Sequence, residues 1–110
     1  MNWIQLTDAA QLDGIVKESH VHPVAIFKHS TRCSVSSMVK KTLERDWNVD
    51  SDKLPVYFLD LIAYRRISNE IADLFDITHE SPQLILIKDG KAIYHSSHSE
   101  IDFDQMLKAA

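Results

Sequence analysis

Apolar and polar positions along this chain change period several times, and each change marks an element. Trp3–Leu6 is a short apolar-rich segment that reads as an edge strand. Thr7 looks like a helix N-cap with Asp8 behind it, and Leu12, Ile15 and Val16 make one helical stripe up to about Ser19. Val24–Lys28, introduced by Pro23, is rich in strand formers and predicts a buried strand. After Cys33, residues Val35, Met38, Val39, Leu43 and Trp47 recur at helical spacing. Pro55 opens a second strand, Val56–Leu59, ending at Asp60, and Ile67, Ile71, Leu74 and Phe75 mark another amphipathic helix. Leu84–Ile87 is continuously apolar, as a strand covered on both faces would be. Asp89-Gly90 separates it from Ala92–Tyr94 and is a hairpin signal. Ser99 through Asp102 reads as a helix start leading into Phe103, Met106, Leu107 and Ala110. The predicted order is β-α-β-α-β-α-β-β-α, an α/β fold with a central mixed β-sheet flanked by helices on both faces.

Composition narrows the picture. A chain of 110 residues is expected to form one domain, 1–110, and 45% hydrophobic with 25% charged residues is ordinary globular composition. A single cysteine forbids an internal disulfide and any cysteine-rich zinc module. Two separated glycines, Gly14 and Gly90, leave no glycine-rich phosphate loop. Apolar runs of about four residues fall far short of the roughly 20 needed to span a membrane. The N-terminus lacks a basic region followed by an apolar stretch. A reduced, cytoplasmic protein without a membrane partner is the expectation, and a net charge of −4 argues against nucleic acid as the main partner.

The one thiol sits where chemistry is favoured. In Phe27-Lys28-His29-Ser30-Thr31-Arg32-Cys33-Ser34-Val35-Ser36-Ser37, Cys33 falls between a predicted strand and a predicted helix. Backbone N–H groups at a helix start lack intrahelical partners, and with the helix dipole they favour an anion, here the thiolate. Arg32 and Lys28 add positive charge, and Ser36, three residues on, is positioned to donate its hydroxyl to the sulfur. Lys28, Arg32, Lys40, Lys41 and Arg45 against Glu44 give the segment a net of +4. A basic stretch is usually a solvated helix face, and a lone cysteine is usually a small buried hydrophobe. The polar collar of Ser30, Thr31, Arg32, Ser34, Ser36 and Ser37 weighs toward a reactive thiol.

With the strand, the Cys-Ser-Val-Ser turn and the helix in order, the chain resembles the thioredoxin superfamily. Ser81-Pro82, directly before the Gln83–Lys88 strand, stands where thioredoxin-like proteins carry a cis-proline facing the cysteine. More narrowly, the chain resembles the monothiol bacilliredoxin family in three blocks. These are Phe27 to Cys33 with Ser36, His79-Glu80-Ser81-Pro82-Gln83, and Lys88-Asp89-Gly90 through Tyr94-His95-Ser96-Ser97-His98. The resemblance implies a thioredoxin-like fold and thiol–disulfide exchange on S-thiolated proteins. Bacillithiol, a low-molecular-weight thiol used by some bacteria in place of glutathione, would be co-substrate, with no bound cofactor. It further implies Cys33 as the attacking group, Pro82 and the Ser81 backbone against the incoming disulfide, His29, His79 and Glu80 lining the site, and a monomer or weak dimer. Two departures stand out. Ser34 occupies the position where the family commonly has proline, and Phe27 holds the place of the thioredoxin buried acid.

Other readings predict different chemistry. His20-x-His22 and His95-x-x-His98 are close pairs, but no His-Glu-x-x-His segment accompanies them, so no metal site is expected. An iron–sulfur carrier like the monothiol glutaredoxins would place glycine and phenylalanine after the cysteine, where Ser34 and Val35 stand. A redox-inactive thioredoxin-like binding module would use the basic helix as a docking face and leave Cys33 incidental.

Overall fold

The strand Val24–His29 (β2) is buried along its whole length, because it lies in the middle of the sheet with helices over both faces. The computed structural model describes residues 1–110 and runs β1 (Trp3–Gln5), α1 (Gln11–Glu18), β2, α2 (Ser34–Asp46), β3 (Val56–Asp60), α3 (Arg65–Phe75), β4 (Gln83–Lys88), β5 (Lys91–Ser97) and α4 (Phe103–Ala109). The five strands lie in the order β1-β3-β2-β4-β5. Parallel pairing joins β1 to β3 and β3 to β2, and antiparallel pairing joins β2 to β4 and β4 to β5. This is the mixed sheet and element order that the sequence pattern predicts.

Strand alternation divides the core in two. Val24 and Ile26 face a cluster with Leu12 and Ile15 of α1 and Ile67, Ile71 and Phe75 of α3. Ala25 and Phe27 face a second cluster with Leu43 of α2, Trp47, and Phe103 and Met106 of α4. The continuously apolar Leu84–Ile87 is buried throughout, one face against each layer.

Two helix starts fall later than the sequence reading places them. Thr7 does not cap α1, which begins four residues later at Gln11. The Gln11 side chain reaches back to accept the amides of Thr7 and Asp8 at 2.8 and 3.0 Å, while Asp8 takes the Ala10 amide at 2.9 Å. Ser99 does not cap α4 either. It lies in a short 3-10 turn, His98–Glu100, and Asp102 caps the helix by accepting the Gln105 amide at 3.2 Å. The helix stripes shift too. Leu74 is half exposed on α3, where Ser68 takes an inward position, and Ala110 lies exposed past the end of α4. On α2, Val35 and Met38 face solvent while Ser36 and Leu43 are buried.

The β4–β5 hairpin turns through Asp89 and Gly90, both at positive φ (52° and 74°). The Asp89 and Gly90 amides bond Ser19 O and Oγ, each at 2.9 Å, docking the turn on the end of α1. A Cβ at Gly90 would meet Val16 Cγ1 at 3.6 Å, an ordinary contact, so the cost of a side chain there is conformational. Gly90→Ala is expected to destabilise by about 1 kcal/mol, a fall in Tm of about 5 °C in thermal unfolding. An unchanged Tm would contradict this account of the turn.

Candidate active site

Two chain segments meet at one end of the sheet. β2 runs out at His29 into the Cys33 turn. β4, antiparallel to it, begins at that same end, with Gln83 opposite Lys28. The Ser81–Pro82 peptide just before Gln83 is cis, Pro82 is buried, and its carbonyl accepts the His98 amide at 3.0 Å. Register therefore brings Cys33, Ser81 and Pro82 to a common edge. The Ser81 hydroxyl is buried there without a hydrogen-bond partner.

Cys33 is the N-cap of α2, with extended backbone (φ −114°, ψ 119°), and is half-buried. Its amide donates to Ser30 O and its carbonyl accepts the Ser37 amide, each at 3.2 Å, while its side chain makes no capping bond. A sulfur at an N-cap lies beside the first-turn amides that lack intrahelical partners. Ser34 opens α2 and, unlike a proline at that position, keeps its N–H.

The structure redirects Ser36 from the role expected of it. Its hydroxyl is fully buried, pairs with His29 Nδ1 at 2.6 Å and accepts the Ser30 amide at 3.1 Å, so it is committed to the end of β2 and not to the sulfur. His29 likewise does not line an open site. It is buried beneath the α2 start, with its ring 5.3 Å from Phe58 and 6.0 Å from Phe27. Burial, then the Lys40 charge, holds the His29 imidazole below the ordinary histidine range, with Asp60 pulling the other way.

Lys28 does not stand beside Cys33. One residue before His29, it points to the opposite face of the sheet, and its ammonium donates to Ser68 O and His79 Nδ1, each at 3.1 Å. Burial pushes its pKa down to about 8. His79 is held by this contact and by Ser68 Oγ at 3.2 Å. Burial, then Lys28 and Arg65, keeps its imidazole below the ordinary range, while Glu80 acts in the opposite sense. His79 thus anchors the segment before Pro82 to β2 and α3. Glu80 turns toward β5, where its carboxylate accepts the Ser97 hydroxyl, and its amide donates to Gln83 Oε1 at 3.4 Å.

The basic block largely dissolves in three dimensions. Lys28 is on the far face, Lys40 pairs with Glu44 at 3.3 Å and Arg45 with Asp46 at 2.9 Å. Arg32 stays exposed beside Cys33 with no ion-pair partner. Sequence reasoning missed Ser68 and Asp60, counted Lys40 only within the basic block and quoted Ser97 only within the third resemblance block. Ser68 alone carried a signal, as a polar residue inside the Ile67–Ile71 helical stripe.

The sequence profile of the family Monothiol bacilliredoxin BrxC matches residues 4–106. The chain belongs to the monothiol bacilliredoxin family. It is similar to a solved thioredoxin-fold protein described as a candidate oxidoreductase, with 27% identity, 96% of this chain and 91% of that chain covered, and a TM-score of 0.76. It also resembles in fold a thioredoxin of Malassezia sympodialis (Mala s 13), at 17% identity, 98% and 87% coverage and a TM-score of 0.75. A third likeness is to a structure concerning thiol resolution in yeast mitochondrial 1-Cys peroxiredoxin by the glutathione and thioredoxin systems. There identity is 19%, coverage 97% and 92%, and the TM-score 0.64. The fold is thioredoxin-like, and membership in the bacilliredoxin family places the chain among thiol oxidoreductases. No helix is long and apolar enough to cross a membrane.

Proposed function

We propose that this bacilliredoxin removes bacillithiol, or a similar small thiol, from mixed disulfides on proteins by way of a Cys33 mixed disulfide. The observation that carries the reading is a half-buried thiol at the N-cap of α2, at the sheet end shared with Ser81 and Pro82, in a chain with one cysteine. The Cys33 thiolate attacks the small-thiol sulfur of the modified protein. The old S–S bond breaks as the new one forms, and the client leaves as a thiolate that takes a proton from solvent. An external thiolate then attacks the small-thiol sulfur on Cys33 and expels Cys33 as thiolate.

Arg32, exposed and unpaired, is the charged side chain available to favour the anionic sulfur and the incoming molecule. The Ser81 backbone and Pro82 support the bound disulfide, while Lys28, His79 and Glu80 hold their loop from behind. The partners are S-thiolated proteins and the small thiol, in a reduced cytoplasm, with the protein acting as a monomer or weak dimer.

The deciding assay is loss of bacillithiol from a thiolated client protein, followed by mass spectrometry. Wild type is expected to strip the client, and Cys33→Ala to reduce the rate to that of buffer alone. Equal rates from the two proteins would end this reading.

A further inference from the structure

The turn that carries Cys33 is held from below by a chain of hydrogen bonds that begins in the sheet. His29 is the last residue of β2. Its carbonyl accepts the Leu61 amide at 3.0 Å, and Phe27 and Phe58 wall its ring, so the imidazole is fixed before α2 begins. The ring pairs through Nδ1 with the Ser36 hydroxyl at 2.6 Å, and the same oxygen accepts the Ser30 amide at 3.1 Å. A serine hydroxyl has one donor and two acceptor sites, so both bonds are made at once. The Ser30 carbonyl in turn accepts the Cys33 amide at 3.2 Å, and the Cys33 carbonyl accepts the Ser37 amide at 3.2 Å. The amide and carbonyl of Cys33 are thereby tied to residues whose separation the Ser36 oxygen sets.

Cys33 is held in this way at φ −114° and ψ 119°. A following proline forces that extended region on the residue before it, because its ring clashes with a helical backbone there. Ser34 follows instead and exerts no such constraint. At the tip of the turn Thr31 and Arg32 are exposed, and the remaining side-chain bond, from the Arg32 amide to Ser30 Oγ, is long at 3.4 Å. Lys28, the neighbour of His29, faces the other side of the sheet and lends the turn nothing.

We propose that His29 and Ser36 form a clasp that keeps Cys33 in the extended N-cap conformation, with its sulfur at the start of α2. The clasp does by hydrogen bonding what a proline at position 34 would do by steric exclusion. Neither side chain touches the reacting atoms. Both are positioning residues, His29 acting through Ser36 and Ser36 through Ser30. Without the clasp Cys33 is free to enter the helical region, and its sulfur leaves the first-turn amides. The proposal rests on Cys33 being the attacking thiol.

The test starts from His29→Phe, which keeps a ring against Phe58 and deletes the bond to Ser36. NMR relaxation of the labelled full-length protein reads the order of the Cys33 amide, and iodoacetamide at pH 7 reads the thiol. The wild-type amide should show an order parameter of about 0.85, and the variant a value below about 0.6. Alkylation should slow by about two- to fivefold as the sulfur loses the helix terminus. Adding Ser34→Pro to His29→Phe should restore both readings. Proline at the first helical position costs no intrahelical bond, and it returns Cys33 to the extended region. It supplies no bond to Ser36, so it would not mend a variant that was merely loosened in its core. In wild type Ser34→Pro should change neither reading, since the clasp already holds the turn.

Unchanged order and rate in His29→Phe overturn the clasp. So does a loss that Ser34→Pro leaves unmended, or an equal gain from Ser34→Pro in both backgrounds. If His29→Phe does not fold, Ser36→Ala with and without Ser34→Pro is read in the same way, with the same outcomes. No client or small thiol enters these experiments, so failure of the clasp is distinct from failure of the exchange reading, which the Cys33→Ala assay decides.

Discussion

Mixed with an excess of thiolated client and no second thiol, each molecule of the protein will liberate one client thiol and then stop. The limit follows from position. Ser36 stands where a second cysteine would resolve the Cys33 adduct, and a hydroxyl does not attack a disulfide under these conditions. It is also buried and bonded to His29 and the Ser30 amide. The product is a protein carrying one small thiol on Cys33, visible as a single added mass on the intact chain. Adding an external thiol should restart turnover, with a rate that rises with its concentration. More than one equivalent of client thiol without any reductant would mean that a route other than the Cys33 adduct operates.

Lys28→Met should stabilise the protein at pH 7, by about 1–3 kcal/mol, and that gain should vanish by pH 10.5. The sign follows from the depressed lysine. In the folded protein it gives up its proton near 8, and in the unfolded chain near 10.5. Between those values the unfolded chain binds more protons, so wild-type stability rises with pH through the window. Below it the folded protein bears the full cost of a buried ammonium, about 3 kcal/mol at 1.36 kcal/mol per pH unit. Methionine removes that cost and nearly matches the volume. His79 Nδ1 keeps Ser68 Oγ at 3.2 Å, and Ser68 O lies inside α3, where the helix ladder supplies an amide partner. Denaturant unfolding of both proteins at pH 7 and pH 10.5 gives the comparison, in which the other lysines and tyrosines cancel. A gap that stays constant between the two pH values would mean that Lys28 is not buried as described.

Lysine at position 28 also shows where sequence reading reached its limit. Linear charge counting places it with Arg32 around the thiol, but strand parity sends it through the sheet to Ser68 and His79. The same parity was legible for the core, because Val24, Ile26, Ala25 and Phe27 divide between two layers as alternation requires. Element order, the hairpin at Asp89-Gly90 and the Cys33 helix start were likewise readable, since each rests on local periodicity or turn chemistry. Thr7 does not cap because Asp8 takes the Ala10 amide and α1 begins only at Gln11, and Ser99 does not because Asp102, three residues on, caps α4. The bonding of Ser36 to His29 lay beyond reach. Spacing alone offers that hydroxyl the sulfur, and only the packed strand end supplies a nearer nitrogen.

One strand therefore sorts two basic side chains to opposite sides of a sheet by nothing more than odd and even count. The distance in residues from Pro23 to Cys33 behaves as a reading frame. Deleting one of the residues before Lys28 in β2 would keep Lys28 and His29 yet exchange the destinations of the two. An ammonium would then lie under the thiol and an imidazole against Ser68. Conservative replacement at these sites alters strength, whereas a change of length alters which chemistry each face receives.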